Sequence, residues 1–246
     1  MKNYFKADFY RVLTKKSRIC LVVFLAVTEV LLMVKSITLG RNAIELTNSV
    51  GNLEFLYVDG IMLANIWISF GDDIRAKSMQ AALGTGIKRW QIVLTKWLSI
   101  TLIAAIEISV LTVLQFLLLI ASGKIAGSFV IEQVICGQLL LILMVAIVMP
   151  LTMIILFQTQ KAILGVLVYF YLIMAMTSSI LDMAVGNTVV QKFQLWNIGA
   201  VNQAAIFLGK LLIGQFDIRN FLMLVFYFAI GFGGTMYLFR KKELDF

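Results

Sequence analysis

The sequence contains no histidine, two cysteines, one proline and few charges, with Asp, Glu, Lys and Arg together making 14% of 246 residues. Without an imidazole, the usual zinc triads, Ser-His-Asp and Cys-His nucleophile systems and histidine proton relays are excluded. Cys20 and Cys136 fall inside apolar runs, near opposite ends of different runs, so they give no disulfide framework and are expected to stay unpaired. A single proline amid long apolar runs argues against disorder, and the lack of period-2 alternation over ten-residue segments argues against an outer-membrane barrel. The shortage of charge also excludes an ordinary soluble globule, because 61% of the residues are hydrophobic and the mean hydropathy is +0.96.

What is present instead is a series of apolar runs near the length that crosses a hydrocarbon core of about 30 Å. Six spans are predicted, at about 19–39, 54–71, 92–121, 130–157, 161–183 and 219–239. The fold class is therefore all-α, a polytopic membrane protein forming one domain over 1–246. The fourth span holds Pro150, whose ring removes the hydrogen bond to the carbonyl of Ala146, so a kink there and a partner for that carbonyl are expected. The run from Ile19 is longer than a signal-peptide core and no A-x-A site follows it, which reads as a retained first span. No internal repeat points to an inverted-repeat transporter.

The net charge of +8 is better read as membrane orientation than as nucleic-acid binding. Lys35, Arg41, Lys124, Lys192, Lys210 and Arg219 fall on one side of the six spans, and the remaining fifteen of the 21 cations fall on the other. That bias predicts a multi-pass membrane protein with both termini cytoplasmic. Residues 1–18 read as an amphipathic helix in the inner headgroup layer, with Phe5, Phe9, Val12 and Leu13 on one face and Lys6, Arg11 and Lys15 elsewhere. The turns at 122–129 and 158–160 are short, whereas 72–91 and 184–218 are long enough to carry function.

In 72–91, the pair Asp72-Asp73 suits a helix N-terminus, Arg75, Ala76, Met79 and Leu83 have helical spacing, and Gly84-Thr85-Gly86 ends the helix before Lys88-Arg89-Trp90 opens the third span. A short charged helix held between two spans can pass a push from a cytoplasmic partner to both. The basic N-terminal helix, the insertion Phe70-Gly-Asp-Asp-Ile-Arg75 leading to Gly86-Ile-Lys-Arg-Trp-Gln-Ile-Val-Leu-Thr-Lys96, and the ending Tyr237-Leu-Phe-Arg-Lys-Lys-Glu-Leu-Asp-Phe246 resemble the permease subunits of type-2 ATP-binding-cassette exporters. Among them are small bacterial six-span subunits for peptide antibiotic export or self-immunity. The resemblance covers essentially the whole chain and implies a coupling helix over Asp72 to Ala82, with Asp72, Asp73, Arg75, Lys77, Lys88 and Arg89 facing an ATPase. The Gly-Thr pair and the Ser that relatives often carry are replaced here by Ser78-Met79 and Lys88-Arg89. No G-x-x-x-x-G-K-[ST] loop occurs, so this chain binds no cofactor of its own in that reading; ATP and Mg would sit on a separate cassette ATPase subunit. A second permease copy or paralogue and the lipid membrane complete the expected partners.

Glu29 and Glu107 fall near the middles of the first and third spans, and Glu132 lies nearer the outer surface. An acidic group at mid-bilayer costs about 2–3 kcal/mol on insertion scales, so each should face protein or water, either lining a substrate path or joining helices. The stretch 184–218 is apolar in patches and too interrupted to span, which predicts one or two half-buried helices near the outer leaflet. Trp67, Trp90, Trp97 and Trp196 suit interfacial belts. Ala229-x-x-x-Gly233 and Gly231-x-x-Gly234 would permit close helix approach in the last span. The leading functional expectation is a transport subunit, not an enzyme, that moves an amphipathic or hydrophobic substrate outward. The alternatives are a non-catalytic membrane sensor or assembly scaffold, secondary transport, and an integral-membrane lipid-modifying enzyme, for which only Asp72-Asp73 offers adjacent carboxylates.

Overall fold

The computed structural model describes residues 2–39, 57–123, 128–176, 200–212 and 214–241. All regular elements among the described residues are helical. Helix α1 (Lys2–Leu13) is followed by α2 (Lys16–Thr38). Helix α3 runs over 57–66, passes through a π-helical turn at Trp67–Gly71 and ends in one further α-turn, Asp72–Arg75. Then come α4 (Ser78–Gly84), α5 (Arg89–Ala121), α6 (Ser128–Thr159), α7 (Ala162–Met176), α8 (Ala200–Leu212) and α9 (Ile218–Lys241).

Among the described residues, four stretches are long and apolar enough to cross a membrane: Lys16–Lys35 within α2, α5, Val134–Thr159 within α6, and α9. On α2, Ile19, Val23, Val27, Leu31 and Val34 recur every three or four residues and are about half exposed, as a lipid-facing stripe requires. The chain is a membrane-embedded helical protein. Of the other two predicted spans, α3 enters the description at residue 57 and α7 covers 15 residues, Ala162–Met176. The remainder of both, together with 40–53, 124–127 and 184–199, lies outside the described residues, and so does Trp196. Helix α8 occupies part of the long segment before the last span. There, Asp217 caps α9 by accepting from the amides of Arg219 (3.1 Å) and Asn220 (3.4 Å). The ammonium of Lys210, with those amides, holds the Asp217 carboxyl below its ordinary pKa.

The centre of the bundle is set by Pro150. Its ring leaves the Ala146 carbonyl without an intrahelical donor, and the indole Nε1–H of Trp97, from α5, donates to that oxygen at 3.0 Å. The same indole meets Phe228 and Phe232 of α9 edge-on at 5.1 and 5.8 Å. Trp97 therefore sits in a three-helix contact, which corrects its placement in an interfacial belt. Helix α9 approaches α6 so closely that a Cβ on Gly231 would stand 2.8 Å from Pro150 Cβ and 2.9 Å from Leu151 N. Thr235 Oγ1, one turn on, lies 3.0 Å from the Pro150 carbonyl oxygen and 2.7 Å from that of Gly231. Of the two small-residue pairs singled out above, Gly231 and Gly234 make the contact, while nothing stands within 4 Å of a Cβ at Gly233 and Ala229 is exposed.

The expected single helix over 72–82 is two pieces. Asp72–Arg75 completes α3, the chain breaks at Ala76-Lys77, where Lys77 is left-handed (φ 50°), and α4 starts at Ser78. The end of α4 is as expected. Gly86 takes φ +86°, its amide bonds to Leu83 O and the Ile87 amide reaches back to Ala82 O, the two bonds of a Schellman stop. Met79 and Ala82 fix α4 to the core.

Candidate functional site

A dense group of buried and half-buried charges lies at one end of the bundle, where α1, the end of α3 and the first turns of α5 meet. The π turn of α3 begins the arrangement. Its i→i+5 bonds wind more residues into the turn than an α-helix does, so Ile68, Ser69 and Phe70 are buried in succession and Asp73 points inward. On α5 the buried stripe Ile92, Lys96, Ser99, Ile103, Glu107 carries a lysine with no exposed surface. Helix α1 packs Val12, with Phe9 and Leu13, against Ile68 and Ile103, which brings Asp8 and Arg11 over that stripe.

The result is a closed ion cluster. Lys96 Nζ donates to Asp8 Oδ1 at 2.6 Å, pairs with Asp73, and lies 3.3 Å from Ser69 Oγ. Arg11 Nη2 stands 2.9 Å from Asp8 Oδ1 and 2.8 Å from Asp73 Oδ1, and Lys15 pairs with Asp72. Ser78 Oγ donates to Asp73 Oδ1 at 2.7 Å, which ties the start of α4 to the same carboxylate. Three carboxylates meet three cations, so the cluster as a whole carries no net charge, the buried Asp8, Asp73 and Lys96 being completed by half-exposed Arg11. Burial raises the pKa of the Asp8 carboxyl, but the adjacent Lys96 ammonium and the Arg11 guanidinium outweigh it and hold the group below its ordinary value. Burial and the charges of Asp73 and Asp8 raise the Tyr4 phenol above its own.

A second cluster lies further along α5. Arg18, the third residue of α2, donates to Glu107 Oε1 at 2.6 Å, Asn65 Nδ2 of α3 donates to Oε2 at 2.7 Å, and Arg18 also bonds the carbonyl of Leu13, the last residue of α1. Glu107 thus joins three helices and stands level with the start of α2.

The residues singled out from the sequence separate accordingly. Asp73 is buried and Asp72 half-buried, both bound to α1. Arg75, Lys77 and Lys88 are exposed, with the Arg75 guanidinium 5.9 Å from the Trp67 ring centre. Arg89 turns to the other side of α5, where it donates to the carbonyls of Phe239 and Arg240 at the end of α9. Glu29 is buried on α2 and Glu132 is exposed on α6. Sequence reasoning missed Asp8, Lys96, Ser69, Arg18 and Asn65 as partners, and missed Asp59, which is buried in α3. For Lys96 a signal existed: it shares the helical face of Ile92, Ser99, Ile103 and Glu107.

Mechanically, the cluster ties α1, the end of α3 and α5 together, and the segment 75–88, seated on the core through Met79 and Ala82, turns Arg75, Lys77 and Lys88 outward. Among the described residues, no three His, Cys, Asp or Glu side chains are arranged to hold a metal ion. Comparison with family models, with curated proteins and with solved structures finds no match to the chain.

Proposed function

We propose that the chain is the membrane-spanning subunit of an ATP-driven exporter, of the type-2 ATP-binding-cassette kind that its sequence pattern resembles. In this reading it has six spans and cytoplasmic termini, with α1 at the inner membrane surface. It works beside a second permease copy or paralogue. The ATP and Mg are held by a separate ATPase chain, and the cargo is an amphipathic or hydrophobic molecule such as a peptide antibiotic.

The observation that carries the reading is the segment 75–88. Its cations Arg75, Lys77 and Lys88 are exposed, while its base is clamped through Asp72 and Asp73 to α1 and through Lys96 to α5. A partner pressing on that edge would displace three helices together, because Lys96 and its partners Asp8 and Asp73 are buried and cannot separate without stranding a charge, while Arg11 and Lys15 tie the same edge to α1 from a half-exposed position. Closure of the ATPase dimer would supply the push, and movement of α5 against α6 and α9 would open the outward path.

The test is co-purification of the tagged chain from its host in mild detergent, with an Arg75→Glu/Lys77→Glu variant in parallel. A cassette ATPase is expected with the wild type and lost from the folded variant. Absence of any ATPase, under conditions that preserve known complexes of this kind, would overturn the exporter reading in favour of a scaffold or an ATP-independent transporter.

A further inference from the structure

Arg89 and the end of α9 form a feature that the ion cluster does not use. Between the first turn of α5 and the last turns of α9 lies an open cleft of about 470 Å³, lined by Arg89, Trp90, Met236, Tyr237, Phe239 and Arg240. Its base is electrically unusual for a helix end. The last carbonyls of α9 would present partial negative charge, but the Arg89 guanidinium covers those of Phe239 and Arg240 and lies 5.4 Å from the Phe239 ring centre. With that end neutralised, Arg240 and Lys241 make the mouth positive among the described residues, the Lys241 ammonium resting 4.4 Å from the Tyr237 ring centre. The walls are apolar: Met236, Phe239 and the rings of Trp90 and Tyr237, which are 43% and 58% exposed.

A site with a cationic mouth, exposed Trp and Tyr rings at its edge and an apolar wall below matches the cross-section of a phospholipid at the headgroup level. Its position agrees. Helix α9 has 24 residues, about 36 Å of helix, so its last turn stands where a spanning helix leaves the hydrocarbon. We propose that this cleft binds the phosphate-bearing headgroup of an anionic phospholipid, with Arg240 and Lys241 on the phosphate and Trp90 and Tyr237 against the glycerol and upper acyl chain. The lipid would then brace the start of α5 against the end of α9, beside the link that Arg89 makes. The inference does not depend on an ATPase partner, so it stands or falls separately from the exporter reading.

The test uses the purified full chain in mild detergent, with phosphatidylglycerol, phosphatidylcholine or inorganic phosphate added and bound lipid counted by native mass spectrometry. Phosphatidylglycerol is expected to remain bound where phosphatidylcholine does not. Arg240→Gln/Lys241→Gln should weaken it roughly 30-fold, two cations at about 1 kcal/mol each. Arg240→Lys/Lys241→Arg, which keeps both charges, should retain it, and this guards against a variant that merely unfolds the last turn. Arg75→Gln/Lys77→Gln should leave retention unchanged, since those cations lie elsewhere. Full retention by the Arg240/Lys241 glutamine pair, or equal loss in the Arg75/Lys77 control, would overturn the site. Displacement of the lipid by millimolar inorganic phosphate that itself binds would assign the cleft to a soluble phosphate compound and overturn the lipid.

Discussion

Replacing Lys96 with Met tests whether the ion cluster holds α1 in place. The ammonium is wholly buried, and its partners Asp8 and Asp73 keep only 5% and 4% of their side-chain surface in contact with solvent. Taking away one partner of a buried pair typically costs about 3–5 kcal/mol, because the other charge stays buried. Arg11, 37% exposed and within 2.9 Å of both carboxylates, remains to compensate, which places the expected loss near the lower end, at about 3 kcal/mol. For a chain of this size that corresponds to a fall in Tm of roughly 6–12 °C. Combining Lys96→Met with Asp73→Asn removes one stranded charge, so the double variant should be more stable than the sum of the single changes by about 1–2 kcal/mol. The assay is thermal unfolding in mild detergent, with limited trypsin digestion at Lys6 and Arg11 as a local readout of α1 detachment. Lys88→Met, an exposed lysine close by in sequence, is the control. A Lys96→Met protein that melts with that control, or a coupling indistinguishable from zero, would refute the clamp.

The proline contact yields a second cycle. Trp97→Phe should cost about 1–3 kcal/mol by orphaning the Ala146 carbonyl, and less when Pro150→Ala is already present, because the substituted alanine restores a backbone N–H for that oxygen; unfolding midpoints of the four proteins decide it. Gly231→Ala should destabilise by about 1–3 kcal/mol, its new methyl meeting the backbone of α6, whereas Gly233→Ala meets nothing and should be close to neutral; equal midpoints would exclude the packing as described. The acid limb of stability should carry Asp8. Its pKa is lowered on folding, so its contribution is complete above the unfolded value of about 3.9 and is lost as pH falls through the lower folded value. An Asp8→Asn protein should therefore show a shallower loss of stability below about pH 4, and an unchanged acid limb would contradict the pairing.

How much of this is legible in the sequence depends on whether the cause is local. The Pro150 defect, the Gly86 stop, the close approach at Gly231 and the starts of the long helices each follow from a few neighbouring residues and the backbone rules they obey. The ion cluster does not. Asp8, Asp73 and Lys96 come from three separate helices, and nothing near any one of them states that α1 folds back onto α5. A single lysine or arginine beside other cations reads as part of an orientation signal, which hides Lys96 and Arg18 among their neighbours. The Asp72-Asp73 pair reads as the opening of a helix because acidic residues suit helix N-termini; it instead ends α3, since the π turn carries helical geometry past Gly71 and only Lys77 breaks it. Asp59 escapes notice because one carboxylate within an apolar run has no distinguishing spacing.

The buried cluster also constrains the order in which the chain can be finished. Asp8 and its partner Lys96 are 88 residues apart, so at ribosomal rates of about 5–20 residues per second the lysine follows the aspartate by roughly 4–18 s. For most of that interval Arg11, Lys15 and Arg18 still lack their carboxylate partners on α3 and α5 and remain available to bias the insertion of α2. Once Lys96 is in place the cluster can close and draw its charges away from water. In the proposed topology the N-terminal cations act first as an address read during synthesis and afterwards as a fastening, and the handover between the two roles is timed by the distance along the chain to their partners on α3 and α5.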